Sequence, residues 1–274
     1  MENVIKKKQK IATDTYMVEL RCPGIARKAK PGQFVMVRLS DNGERIPLTI
    51  ADSTATQITL VFKTLGFTTK ALSNLRSGSV IQDISGPLGT PSPLLGNGNI
   101  CFVGGGVGAA ALYPIIKALN KKGNNIITIV GAKSKDHLFW LDRLRSLSGK
   151  VLIATDDGSV GKKGTAADVL RMIMRRRLDM VYAIGPMPLM QEVSKITWRM
   201  VKTRVSLNPI MVDGMGMCGG CRVKVEDDVR FACVDGPEFD AHQVDWEELM
   251  RRNSAYCEEE KYANKKCKCG GHVK

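Results

Sequence analysis

Two rhythms of apolar and polar positions divide the chain. Up to about residue 98, apolar residues come in short β-branched runs, such as 33–39 (QFVMVRL) and 57–64 (QITLVFKT), separated by the turn formers Pro31-Gly32, Asp41-Asn42-Gly43 and Gly96-Asn97-Gly98. Short runs bounded in this way predict strands, and several in succession predict a small β-barrel. One helix is expected within it at 69–75, behind Gly66-Phe67-Thr68. Its N-terminus is either a phosphate cradle or an ordinary cap. From 99 to 207 the rhythm alternates. Apolar runs at 100–103, 126–130, 151–155 and 180–184 are strands, and 109–122, 136–147, 165–177 and the stretch from Pro188 towards Met200 are helices. Repeated strand–helix units predict a parallel, doubly wound sheet. Pro114 falls inside the first helix, where it ends the opening turn or kinks the axis. Thr165 is placed to cap the third helix and Arg175-Arg176-Arg177 to close it on the macrodipole.

The strand ends of this second region carry Gly104-Gly105-Gly106-Val107-Gly108, Asp156-Asp157-Gly158-Ser159 and Gly185-Pro186-Met187-Pro188. Ligands of open parallel sheets bind at the carboxyl ends of the strands, and a glycine turn between strand and helix suits a phosphate. The first turn is not a full Gly-x-Gly-x-x-Gly fingerprint, since Ala109 stands at the last glycine's place.

Beyond 207 the hydrophobic rhythm gives way to Asp213-Gly-Met-Gly-Met-Cys218-Gly-Gly-Cys221, followed eleven residues later by Cys233. Three thiolates and a carboxylate lie in a glycine-rich loop and a short expected hairpin. The spacing suits a [2Fe–2S] cluster, a zinc knuckle uses the same Cys-x2-Cys pair, and free thiols are the third option. A helix is expected at 246–252. The polar tail then adds Cys257, Cys267, Cys269 and His272, either a further metal set or incidental thiols. His137 and His242 read as surface or packing residues.

Composition narrows these options. The chain has 274 residues, eight cysteines gathered mostly towards the C-terminus and a formal charge of +14. The start, MENVIKKKQK, is basic without an apolar run behind it. It predicts no secretory signal, hence a reducing cytoplasm in which clustered cysteines bind metal. No 18-residue apolar run predicts a membrane span. A basic balance favours anionic partners, but aromatic residues make up only 5% and show no base-stacking pattern, so nucleic acid is not expected.

A β-rich first region, a nucleotide-type α/β region and a glycine–cysteine loop, in that order, resemble the ferredoxin reductase superfamily of flavoproteins. Within it, the chain is similar to the group of electron-transfer subunits of dihydroorotate dehydrogenase and small subunits of NADH-dependent ferredoxin:NADP oxidoreductase, also described as sulfide dehydrogenase. The resemblance implies an FAD-binding β-barrel domain (1–98), an NAD(P)-binding α/β domain (99–207), a [2Fe–2S]-binding segment (208–240) and a C-terminal helix and tail (241–274). Arg45-Ile46-Pro47-Leu48-Thr49 resembles the flavin motif, with Ile46 where the family's arginine stands and Arg45 displaced by one. Val61, Phe62 and Lys63 match the strand along the flavin. Gly66, Thr68 and Thr69 match the phosphate turn, and Gly86-Pro87-Leu88-Gly89 the domain boundary. Gly104 to Gly108, Asp156, Asp157, Gly158, Gly185, Pro186 and Met187 match the pyridine-nucleotide site.

The same resemblance implies Asp213, Cys218, Cys221 and Cys233 as cluster ligands. Dihydroorotate dehydrogenase subunits carry a cysteine at the first of these positions, whereas aspartate with three cysteines resembles the ferredoxin:NADP oxidoreductase small subunit. The implied function is an electron relay between NAD(H), FAD and a [2Fe–2S] cluster. It sits beside a larger subunit bearing a flavin and [4Fe–4S] clusters and reaches ferredoxin through that complex by flavin-based bifurcation. Lys133-Ser134-Lys135 after the second strand, with no acid at the strand end, leaves NADP(H) open. A relay for dihydroorotate dehydrogenase and a zinc-stabilised nucleotide-binding regulatory subunit are the alternatives.

Overall fold

The computed structural model describes residues 2–94 and 96–266. Strands β1 (Val4–Ala12) and β2 (Thr15–Arg21) form a hairpin, and a single turn of helix, α1 (Pro23–Ala26), follows. Then come β3 (Phe34–Arg38), β4 (Arg45–Ser53), β5 (Gln57–Lys63), α2 (Phe67–Asn74) and β6 (Asp83–Leu88). The sheet order is β1-β2-β5-β4-β3-β6, and every pairing is antiparallel. A Val4–Val80 bridge returns the chain just before β6 to β1 and closes the sheet. Closure matters because β1 would otherwise be an open edge. Alternation puts Val18, Leu20, Val35, Val37, Ile50, Ile58, Leu60 and Phe62 in the barrel core. The opposite face holds Met17, Ala51 and Val61, which pack against the second region.

That region runs β7 (Asn99–Gly105), α3 (Gly108–Asn120), β8 (Asn125–Ala132), α4 (Leu141–Arg145), β9 (Lys150–Thr155), β10 (Lys162–Lys163), α5 (Ala166–Ile173), β11 (Met180–Ile184), α6 (Met187–Thr197) and β12 (Thr203–Ser206). Helix α3 passes through Pro114 to Asn120 without ending there. Helix α5 is capped as expected, with Thr165 Oγ1 accepting from the Asp168 N–H at 3.2 Å and the Asp168 carboxylate accepting from the Thr165 N–H at 2.8 Å. Those bonds hold the Asp168 carboxyl below the usual aspartate range. Its stabilising contribution is therefore present above the ordinary aspartate pKa and lost as pH falls through the lowered one. Thr165→Ala is expected to lower chemical-denaturation stability at neutral pH by about 1 kcal/mol, with a smaller difference in acid.

Two helical expectations need correction. The stretch 136–147 is not one helix. A 3-10 turn at Lys135–His137 is followed by Trp140 at φ +56°, and only then by α4. Burial wins over helix continuation here: Phe139 is buried and Trp140 lies edge-on to Tyr113, with ring centroids 5.3 Å apart. Arg175 to Arg177 follow α5 instead of closing it, because the helix ends at Ile173.

The remaining elements are the hairpin β13 (Arg222–Val225) and β14 (Asp228–Phe231), β15 (Glu238–Asp240), α7 (Trp246–Asn253) and α8 (Cys257–Lys266). Strand β15 pairs antiparallel with β12, giving a second sheet of order β10-β9-β8-β7-β11-β12-β15. The cysteine loop and its hairpin thus leave and re-enter at one edge of this sheet. Of the tail thiols, Cys257 is exposed at the start of α8, and Cys267, Cys269 and His272 lie outside the described residues. No helix among the described residues is long and apolar enough to cross a membrane.

Candidate functional site

The outer face of the barrel presents part of the flavin motif. Leu48 and Phe62 turn into the barrel core, with Phe62 stacked on Tyr16, so they offer only backbone. By alternation Arg45, Pro47 and Thr49 of β4, and Val61 and Lys63 of β5, share the opposite face. Arg45 is engaged at 3.1 Å by Asp83 on β6. At the start of α2, Thr69 Oγ1 accepts from the N–H groups of Leu65 and Gly66 at 3.0 and 3.1 Å. The Thr68 hydroxyl donates to Glu44. Both hydroxyls are engaged within the chain, which leaves first-turn N–H groups of α2 to face an anion. Asp83 and Glu44 were not legible as partners, since each reaches its residue only through sheet packing.

The nucleotide-type turns meet as the spacing predicts. The strand order reverses between β7 and β11, which is the switch point of an open sheet. Gly106, at φ +55°, starts the turn, and its N–H donates to Gly131 O at 3.0 Å. A Cβ at Gly108 would lie 2.0 Å from Ile184 O, and one at Gly185 would lie 3.1 Å from Gly105 Cα. Gly105 and Gly108 are therefore packed backbone on backbone against Ile184 and Gly185, and no side chain caps the N-terminus of α3. Asp156, Asp157 and Gly158 lie farther along, beside the end of β8, where the Asp156 and Asp157 N–H groups donate to Ala132 O and Lys133 O at 3.1 and 3.3 Å. Asp157 Oδ1 accepts from the Ser159 hydroxyl at 2.7 Å, and hydrogen bonding holds its carboxyl below the usual range. A carboxylate thus stands among Lys133, Ser134 and Lys135, supplied by the neighbouring strand. His137 and His242 have packing roles: His137 bonds Ser134 at 2.9 Å, and His242 bonds Thr197 at 3.1 Å and stacks edge-on against Trp198.

The cysteine loop sits on the barrel. Gly214, at φ +78°, approaches Met36 and Leu88 so closely that a Cβ would lie 2.6 and 3.0 Å from their side chains. Met36 is paired in register with Pro47 of the flavin motif. The loop is consequently one strand removed from β4. Within it the predicted ligands form two pairs. Cys221 and Cys233, both buried, have Sγ atoms 3.2 Å apart across the base of the hairpin. Burial, and then the neighbouring Cys221 sulfur, raises the Cys233 thiol to about 12. Asp213 and exposed Cys218 form the second pair, with Asp213 Oδ2 accepting from the Cys218 N–H at 2.7 Å. Met215 and Met217 also donate to the carboxylate, at 2.8 and 3.0 Å. Three backbone N–H groups of the loop thus point at the Asp213 carboxylate.

Backbone hydrogen bonds, the one from Met215 first, hold the Asp213 carboxyl below the usual range. A carboxylate has about four lone-pair sites, so three N–H bonds leave one open to a metal. Among the described residues no group of three or more His, Cys, Asp or Glu side chains converges on one point. A two-iron centre takes its ligands in pairs, one pair on each iron, and the donor set fits that demand.

Comparisons with known proteins point to one family. Residues 208–245 match the iron–sulfur cluster binding domain of dihydroorotate dehydrogenase B. A homologue of the electron transfer subunit of dihydroorotate dehydrogenase B (NAD(+)) from Thermotoga maritima is 48% identical, over 94% of this chain and 93% of that protein. The electron transfer subunit from Fusobacterium nucleatum is 32% identical, over 89% and 97%. A chain of the NADH-dependent reduced ferredoxin–NADP oxidoreductase, solved to study flavin-based electron bifurcation, is 46% identical with a TM-score of 0.92, covering 97% of each chain. The protein belongs to the family of dihydroorotate dehydrogenase B electron transfer subunits, with a ferredoxin reductase-like fold and that family's iron–sulfur binding domain.

Proposed function

We propose that this chain is the relay subunit of a larger cytoplasmic oxidoreductase. It takes reducing equivalents from NAD(H), holds FAD and a [2Fe–2S] cluster, and delivers electrons to a larger partner with its own flavin and [4Fe–4S] clusters. The complex is an NADH-dependent ferredoxin:NADP oxidoreductase. FAD supplies exchange between two-electron hydride chemistry and single-electron transfer, and the cluster supplies one-electron storage.

The observation that carries the reading is the contact of Gly214 with Met36, because it joins the cluster loop to the strand beside the flavin motif. Arg45, Pro47, Thr49, Val61 and Lys63 form the face for the flavin. The first turn of α2 takes its phosphates. Gly104 to Gly108, with Gly185, Pro186 and Met187 and with Asp156, Asp157 and Gly158 at the neighbouring strand end, would hold the dinucleotide at the switch point. Asp213, Cys218, Cys221 and Cys233 hold the cluster. Val212, Met215, Met217 and Val234 are exposed around Cys218, and Met217 is 84% exposed. An apolar rim of this kind suits docking of the partner.

The test is anaerobic addition of NADH to the purified chain, with flavin and cluster absorbance followed separately. The expected result is bleaching of both, and a chain without flavin, or unreactive to NADH, contradicts the proposal. Asp213→Cys is expected to keep a cluster with an altered spectrum and potential, since thiolate is softer than carboxylate, and an unchanged spectrum removes Asp213 from the ligand set.

A second reading, the relay of a dihydroorotate dehydrogenase, is supported by the names of the relatives. The aspartate at 213 speaks against it. Co-purification with a dihydroorotate-oxidising subunit would establish it.

A further inference from the structure

Glu238 is the only acidic or basic residue among the buried polar residues described, at 6% exposure. The reading above gives it no task. It opens β15, five residues after Cys233. Its carboxylate accepts from the Ser92 hydroxyl and, at 3.4 Å, from Arg204 Nε. The Gly32 turn packs on the same spot, where an added Cβ would lie 2.1 Å from Ser92 Oγ and 3.2 Å from Glu238 Oε1. Burial of a carboxylate is costly unless partners satisfy it, so these contacts mark a junction the fold maintains at some expense.

Ser92 belongs to a strap, 88–92, that leaves the barrel and touches both ends of the cluster loop. At one end Leu88 lies against Gly214. At the other, Thr90 donates from Oγ1 to Val234 O at 2.9 Å and from its N–H to Gly236 O at 2.6 Å. Gln33 ties the strap to the flavin motif: its side chain donates to Gly89 O at 2.8 Å, and its carbonyl accepts from the Ile50 N–H at 3.0 Å. A chain of bonds thus runs from β4 through Gln33 and the strap to the residues beside Cys233, and Glu238 anchors the strap's far end.

We propose that Glu238, acting through Ser92, is a positioning residue that sets the placement of the cluster loop against the flavin strand and thereby the rate at which electrons pass between them. The inference rests on the function proposed above. Misplacement by about 1 Å, caused by a change remote from the reacting groups, is enough for a large loss of rate.

The experiment compares wild type, Glu238→Ala, Glu238→Gln and Ser92→Ala. It measures flavin and iron content, NADH-driven reduction of a dye that draws on the flavin alone, the rate of cluster reduction after mixing with NADH, and amide exchange at Thr90 and at 234–236. For Glu238→Ala and Ser92→Ala, unchanged cofactor content and dye reduction are expected, with cluster reduction slowed about tenfold or more and amide exchange faster. Glu238→Gln keeps an acceptor for Ser92 and restores most of the rate. Cluster reduction at the wild-type rate in a strap whose amides exchange faster overturns the inference. Ser92→Ala removes only one hydroxyl and decides the matter if Glu238→Ala does not fold. A wild-type chain without flavin or iron defeats the function proposed above, whereas a loaded wild type with indifferent variants defeats only this inference.

Discussion

Cys221→Ser yields a chain that retains its flavin and has lost its cluster. Cys221 is buried at the base of the β13–β14 hairpin, with its sulfur 3.2 Å from that of Cys233. Serine is a poor iron ligand because its hydroxyl is harder and stays protonated where a thiol yields a thiolate. It also introduces a buried hydroxyl without a designed partner, at a cost of about 1–3 kcal/mol. The face of β4 and β5 proposed for the flavin lies beyond Met36 and is not touched by the substitution. Iron should fall to trace levels, NADH should still reduce the flavin, and dye reduction drawing on the flavin should persist. Parallel loss of flavin would mean that the cluster loop supports the barrel as well as resting on it.

Gly108→Ala is expected to be far more damaging than its chemistry suggests. Alanine in place of glycine in a helix ordinarily gains about 1 kcal/mol. Here the added methyl would lie 2.0 Å from Ile184 O and 2.5 Å from Ile184 C, backbone atoms with no free side-chain rotation. Strand β11 or helix α3 must move, and that movement separates the two turns proposed to hold the dinucleotide. We expect a stability loss of about 3 kcal/mol, at the upper end of the usual overpacking range, together with loss of NADH reduction. Gly106→Ala is the control. Nothing lies within 4 Å of its added Cβ, so its cost is that of φ +55° alone. Near-normal NADH reduction and stability in Gly108→Ala would show that the two turns are not held by this contact.

Much of this architecture was legible because hydrophobic runs and turn chemistry agreed. The apolar runs became β3, β5, β7, β8, β9 and β11, and Thr165 caps α5 as its spacing with Asp168 requires. The hairpin between Cys221 and Cys233 was also foreseeable. Other features depend on partners distant in sequence. β1 carries lysines at 6, 7, 8 and 10 and buries only Ile5 fully, so it has no clean alternation to read. The break at Trp140 follows from aromatic packing on α3, which local propensity does not record.

Within the candidate site, residue types were easier to read than orientations. Phe62 and Leu48 lie in the matching motifs yet turn inward, because the phase of a strand is set by its neighbours. Glu238 gave no signal of its own, because Asp235 and Asp240 flank the same short stretch. Its meaning depends on Ser92, which is 146 positions away.

The protein should be purified without oxygen, reduced chemically and examined by electron paramagnetic resonance, with iron, zinc and flavin quantified on the same sample. A [2Fe–2S] signal accompanied by two irons and one FAD per chain is the predicted result. Zinc in place of iron, no flavin and no signal would contradict it and would leave a nucleotide-binding subunit with a structural metal.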